Sequence, residues 1–239
     1  MIAHERIGGI ERIVLSRPER RNALTPVMLE DLAAHVERAG DAHALLLLGE
    51  GKAFCAGFDL ELCIGDEGDA NLRRLLEGLS RTITAMRALP CPVVIGVQGA
   101  AIAGGCALLG GGDVVVASPQ AKLGYPVTRL GISPAVSAPF IAIPPGQARR
   151  LLLDPGLIDG ARAHEIGLVH ELHDEPAAQA MAIAESLAAK PPHALAATKR
   201  WLNECTPADG DRGLAASLAL IGNDESRRLL AAALQRAKP

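Results

Sequence analysis

The stretch "QGAAIAGGCALLGGGD", residues 98–113, holds six glycines and no charge before Asp113. It follows "PVVIGV" (92–97) and runs into "DVVVAS" (113–118), two short apolar runs that read as buried strands. Bare backbone at the end of a strand lets another chain segment or a ligand come closer than side chains would allow. A short buried helix between two such strands implies an α/β core, with a sheet covered on both faces.

The flanking segments extend the same pattern. Gly8-Gly9, between "MIAHERI" and "IERIVL", is a two-residue hairpin signal. Thr25 and Pro26 form an N-cap and first helical residue, Leu29, Leu32, Ala33 and Val36 follow at helical spacing, and Gly40 closes the helix. "ALLLLGEG" (44–51) is a further buried strand, and "ELCIGDEGDA" (61–70) a polar loop. Leu72, Leu75, Leu76, Leu79, Ile83 and Met86 mark a long amphipathic helix with Arg73, Arg74, Glu77 and Arg81 on its wet side. From about residue 146 the segments read as helices, interrupted by one strand-like "GLVHEL" (167–172).

With 239 residues the chain suits one large domain, or one domain with a small appendage. Aromatics make up only 2 % of it, so Ala, Leu, Val and Ile must build the core. A net charge of -3 without a dense Lys/Arg block argues against a nucleic-acid partner. No apolar run approaches the length of a membrane span, and the N-terminus lacks a signal-peptide pattern. Five cysteines (Cys55, Cys63, Cys91, Cys106, Cys205) form no CxxC pair, which points to free thiols and a reducing, cytoplasmic setting.

Three glycine-bearing corners can carry chemistry: "GKAFCAGFDL" (51–60), the 98–113 stretch, and "LGYPVTRLGISPA" (123–135). Gly99, Gly104 and Gly105 miss the spacing of a dinucleotide fingerprint, and no Lys-Ser/Thr follows them as a phosphate loop requires. Cys106 as a nucleophile lacks an acid/base partner nearby and reads better as a small buried filler. The seven histidines all fall outside the corners. What remains is a pair of backbone donors. Gly104 and Gly105 at a helix start leave N–H groups unpaired, and an N–H from residue 58 aimed at the same point would complete an oxyanion hole. Close backbone packing is the plainer reading of either glycine cluster alone.

"LSRPERRNAL", "GEGKAFCAGFDL", "PCPVVIGVQGAAIAGGCALLGGGDVVVAS" and "ARAHEIGLVHEL" together resemble, in order and spacing, the crotonase superfamily, the enoyl-CoA hydratase/isomerase family. The likeness runs on to "WLNE", and "NDESRRLLAAALQRAKP" resembles the closing helix of that family. The resemblance implies a crotonase-like α/β spiral of repeated ββα units over residues 1–165. A C-terminal helical region, 166–239, would serve oligomerisation and cover the pocket. It further implies trimers or dimers of trimers, and an acyl-CoA thioester as ligand, with CoA entering as part of the substrate and no separate cofactor or metal.

By the same resemblance the backbone N–H groups of Phe58 and Gly104 hold the thioester oxygen and stabilise an enolate. Arg20 and Arg21 become candidates for the CoA phosphates, and Ala23 for a backbone contact to adenine or pantetheine. Ala56 and Leu60 would line the pantetheine channel, with Gly57, Asp59, Gly105 and Val127 also at the substrate site. Asp59, just before an apolar helical turn, reads as an N-cap rather than an acid/base.

The pattern breaks at the proton shuttles. The hydratases of this family carry glutamates where this chain has Ala107 and Val127, and a third position that sometimes holds Asp falls at Pro134 and Ala135. None of these side chains can exchange a proton, so the two-glutamate hydration route is not expected. Tyr125, Thr128, Ser133 and Ser137 are the polar side chains left in that segment, with Arg129 as an electrostatic element. Asp66, Glu67 and Asp69 could be delivered by the 61–70 loop or simply be solvated. Three readings follow: an enzyme working through an enolate, with a malonyl-type CoA decarboxylase as one form; a non-catalytic acyl-CoA-binding protein; and a structural oligomer with a vestigial site.

Overall fold

The computed structural model describes residues 1–154 and 156–237 of the chain. Gly8, at φ +57, and Gly9 turn β1 (Ile2–Ile7) back onto antiparallel β2 (Ile10–Leu15). At the start of α1 (Pro26–Arg38) the Thr25 hydroxyl accepts from the Met28 N–H at 3.2 Å. The helix ends in a 3-10 turn, Ala39–Asp41, so Gly40 lies within that turn rather than closing the α-helix itself.

The chain continues through β3 (Ala44–Gly49), α2 (Gly68–Ala88), β4 (Val93–Val97), β5 (Ala100–Ile102), α3 (Gly104–Ala107), β6 (Val114–Ala117) and β7 (Lys122–Gly124). Next come α4 (Pro145–Leu153), β8 (Ile158–Asp159), α5 (Gly160–Glu165), β9 (Glu171–Leu172) and α6 (Pro176–Ala188). Three helices close it: α7 (Pro192–Cys205), α8 (Gly210–Leu218) and α9 (Asp224–Ala237). Lys238 and Pro239, the end of the closing-helix motif, lie outside the described residues.

Six strands form the main sheet in the order β1-β2-β3-β4-β6-β9, parallel except for the first pair. A second ladder of short segments runs β5-β7-β8 and is extended by single bridges from Ala101 to Cys55 and from Phe58 to Leu24. Along the chain, β2, β3 and β4 each feed a short segment of the second layer and then a helix. The repeats are β2, Leu24 and α1; β3, 55–58 and α2; β4, β5 and α3. This is a spiral of ββα turns, and it brings Ala56, Phe58, Leu60, Ile102, Ala103 and Gly104 to one cavity.

The apolar run of β3 explains why the sheet is covered twice. Leu45 and Leu47 join the larger core with Leu29, Leu32, Leu75 and Leu79 of α1 and α2. Leu46 and Leu48 point to the opposite face and pack under Ala180 and Ala184 of α6. Glycine is required at 96, where a Cβ would lie 2.7 Å from Leu48 Cδ2 and 3.1 Å from the Pro176 carbonyl.

Both β9 and α6 lie beyond residue 165, so the sheet core runs through the boundary expected there and on to Ala188. Of "GLVHEL", only Glu171 and Leu172 pair with the sheet. Gly167 turns at φ +84, and Leu168 and Val169 fill the core instead of extending a ladder. The buried Lys199 of α7 donates to the carbonyls of Met86 and Cys91, both at 3.0 Å, and pairs with Asp113 at 2.7 Å. It thereby ties α7 to the end of α2. No helix among the described residues is long and apolar enough to cross a membrane. The five cysteines are free, with only Cys205 exposed.

Candidate active site

The spiral opens a cavity of about 130 Å³ between α2, the Cys55–Leu60 segment, the start of α3 and residues 125–137. Its wall is hydrocarbon, from Leu76 and Leu79 of α2 to Leu130, Ile132 and Val136 across from them. Phe58 and Gly104 both line it. A Cβ on Gly57 would lie 3.6 Å from the Gly104 nitrogen, so the peptide groups 57–58 and 103–104 are neighbours. The adjacent amides are engaged elsewhere. Asp59 N–H donates to Leu24 O at 2.9 Å, and Ala103 N–H to Gly124 O at 2.8 Å. The Phe58 and Gly104 N–H groups have no hydrogen-bond partner among the described residues.

Two backbone features set this corner. Gly57 takes φ +96 and faces the Ala103 Cβ, while Ala103 itself holds φ 53 and ψ −115, a conformation costly for any residue with a Cβ. Ala103 immediately precedes the free Gly104 amide, so its strained ψ orients that peptide group. The Phe58 ring lies over Gly104, where a Cβ would come within 2.9 Å of Phe58 Cε1. Glycine at 104 thus keeps both the ring and the amide accessible to one space.

The cavity also collects Ala56, Leu60, Ala107 and Val127. Both positions where the family's hydratases carry glutamate therefore face the cavity, and both are apolar. No charged side chain lines it among the described residues. Its hydroxyls are already engaged: Ser137 Oγ donates to Pro134 O at 2.9 Å, and Ser133 Oγ accepts from Ala135 N–H at 3.2 Å. Burial raises the Tyr125 phenol well above 10, and the neighbouring Cys106 adds to this against the Ser137 hydroxyl. It is no base near neutrality. The Cys106 thiol, also fully buried, is pushed up to about 12, which fits a core filler. Thr128 and Arg129 are exposed outside the wall, as are Asp66 and Glu67, while Asp69 pairs with Arg227 of α9 at 2.5 Å.

Two expected site residues are turned away. Asp59 makes no capping bond. Its carboxylate is buried against Arg17 at 2.7 Å, with Arg20 at 3.5 Å, because two guanidiniums compensate its burial better than one turn of backbone would. Gly105 packs against Cys55, where a Cβ would strike the carbonyl oxygen at 2.4 Å, so it serves close packing and not the cavity. Arg20 is held by Glu61 as well as Asp59, whereas Arg21 is exposed with no ion pair among the described residues. The Ala23 N–H donates to Arg20 O, and its carbonyl accepts from Arg17.

One residue escaped the sequence reading. Asn22 is fully buried at φ 55 and braces the corner from beneath. Its Nδ2 donates to the carbonyls of Glu50, Ala53 and Phe54, and its Oδ1 accepts from the Arg17 N–H at 2.8 Å.

Residues 5–227 match the family described as Enoyl-CoA hydratase/isomerase. The chain is 34 % identical over 196 residues, 78 % of its length and 75 % of the relative's, to "Probable enoyl-CoA hydratase EchA14" of Mycobacterium tuberculosis. It is 32 % identical over 210 residues, 82 % of its length and 79 % of the relative's, to 1,2-epoxyphenylacetyl-CoA isomerase of Escherichia coli. A solved enoyl-CoA hydratase/isomerase from Xanthobacter autotrophicus superposes with a TM-score of 0.88 at 29 % identity, over 99 % of this chain and 94 % of that one.

Proposed function

The chain belongs to the enoyl-CoA hydratase/isomerase family of the crotonase superfamily, and from that premise we propose that it binds an acyl-CoA thioester in the apolar cavity and stabilises its enolate through the N–H groups of Phe58 and Gly104. The observation that carries this reading is the pair of unpartnered amides on neighbouring peptides at a hydrocarbon wall. A carbonyl oxygen placed between them gains two donors whose value rises as negative charge develops on it. Arg21, exposed and without an ion pair among the described residues, is the proposed contact to the CoA phosphates, with Ala56 and Leu60 along the pantetheine path.

Hydration by two carboxylates is not part of the proposal, because Ala107 and Val127 offer no proton. The charge-free wall favours a reaction that reaches the enolate without a base. In a malonyl-type ester the bond to the terminal carboxylate breaks, its electron pair becomes the enolate, CO2 leaves, and water returns a proton to carbon. Entering a hydrocarbon cavity removes hydration from that carboxylate and lowers the barrier to its loss. The same wall supports a second reading, an acyl-CoA carrier without turnover. A trimer or dimer of trimers is proposed with either, supported by Trp201 and Leu202 of α7, 64 % and 59 % exposed.

The test is a panel of crotonyl-, 3-enoyl-, malonyl- and aryl-CoA esters, scored for binding and turnover with the native chain and Gly104→Pro. Proline removes the N–H, and because its ring would also press on Phe58 and on the φ 53, ψ −115 conformation of Ala103, circular dichroism and the melting temperature are read alongside to establish that the variant is folded. Loss of one such donor costs about 2.7–4 kcal/mol in the transition state, so the variant should keep ester binding while turnover falls by about 10²–10³-fold. Unchanged turnover would overturn the enolate role. Binding without turnover in the native chain would select the carrier, and no binding to any ester would refute the ligand class.

A further inference from the structure

A second cluster of chemistry-bearing side chains lies away from the cavity, on the β1–β2 hairpin and α1. In the hairpin register His4 stands opposite Ile13 and Arg6 opposite Glu11, so these four side chains share one face. Ile13 is fully buried, and the same face meets His35 of α1. One ligand-capable atom from each of His4, Glu11 and His35 falls within 4.8 Å of the others. His4 Nδ1 is 3.5 Å from Glu11 Oε1, and the two imidazole rings lie 3.9 Å apart between centroids, tilted by 37°.

From this arrangement we infer that His4, Glu11 and His35 bind a divalent transition-metal ion of the zinc type. Two imidazoles and one carboxylate are the donor set such ions take, with a fourth position left to water, and it is a poor set for calcium or magnesium. Donors on a tetrahedral zinc sit roughly 3.3 Å apart, against 3.5 Å between His4 Nδ1 and Glu11 Oε1 and no more than 4.8 Å across the set. The three donors come from two strands and a helix, which hold them on a rigid frame.

The surroundings leave the donors available. Arg6 Nη1 is shared between Glu11 Oε2, at 3.7 Å, and Asp41 Oδ1, at 3.0 Å, while its Nη2 donates to the Asp41 carbonyl at 3.1 Å, which leaves Glu11 Oε1 on the side of His4. Asp31, one helical turn before His35, lies 3.4 Å from its Nε2 and can orient the ring as an outer carboxylate. Nothing in this site depends on the acyl-CoA reading.

The experiment titrates zinc into the full, tag-free chain by calorimetry, alongside His4→Ala and Glu11→Gln. His4 is half exposed, so its replacement leaves the fold intact. One ion per chain is expected, with each variant binding at least about tenfold more weakly, since even outer partners of a ligand are worth that much. Cobalt in place of zinc should give a visible spectrum without a thiolate charge-transfer band. No stoichiometric zinc, unchanged affinity in both variants, or a thiolate band that vanishes in Cys205→Ser would each overturn the site.

Discussion

Asn22 shows how much of the candidate site rests on a residue that takes no part in lining it. Replacing it with alanine would leave the carbonyls of the Glu50–Phe54 turn and the Arg17 N–H without their partner, and would force a Cβ-bearing residue of lower tolerance to hold φ 55. Asn22→Ala should lower stability by about 2–4 kcal/mol, read from the midpoint and slope of urea unfolding. A change within experimental error would mean water satisfies those groups. The sequence held a signal for this role, since Asn is the residue that tolerates a left-handed turn and ties back to local backbone. It was masked by the two arginines beside it, which drew attention to phosphate binding. Asp59 misled for a related reason: its position before an apolar turn is that of a cap, and only tertiary structure brings Arg17 to it. The corner that holds Phe58 and Gly104 was legible because glycines at the ends of apolar strands constrain the backbone locally, while the pairing of those two amides came from the family resemblance.

At the scale of elements, strands and helices with strong periodicity appear where the sequence places them, from the Gly8-Gly9 hairpin to α2. The short segments of the second layer were not legible. Leu24 and residues 55–58 and 122–124 are too brief to show a period, and they pair only because successive turns of the spiral stack. β9 was legible in part, since "GLVHEL" reads as a strand while only its last two residues pair with β6, and its attachment makes a pH prediction. The Val115 N–H donates to His170 Nδ1 at 2.8 Å while the His170 N–H donates to Val115 O, so the link needs a neutral imidazole. Burial lowers the pKa of His170 despite the attraction of Asp113. The unfolded chain therefore takes up the proton first. This contribution should be complete above about pH 6.5 and be lost as pH falls from there through the lowered folded value. Thermal melts of the native chain and His170→Gln across that range should converge toward acid. Parallel curves would refute the link.

For the molecule as a whole, the proposed trimer or hexamer requires surface to be covered, and α7 presents Trp201 and Leu202 to solvent. Sedimentation velocity should give three or six times the chain mass, with Trp201→Glu shifting the distribution toward monomer. A native chain that sediments as a monomer at all concentrations would contradict the assembly. The spiral has a further consequence for how such a molecule can change. The walls of its cavity come from separate turns, Ala107 on α3 and Val127 on the segment after β7, while the two free amides belong to the main chain. Side chains on any one wall can be exchanged without touching the others, and neither amide is encoded by the identity of a side chain. Chemistry held in the backbone travels with the fold itself, so a lineage can shed its proton carriers and still pass on the proposed oxygen cradle.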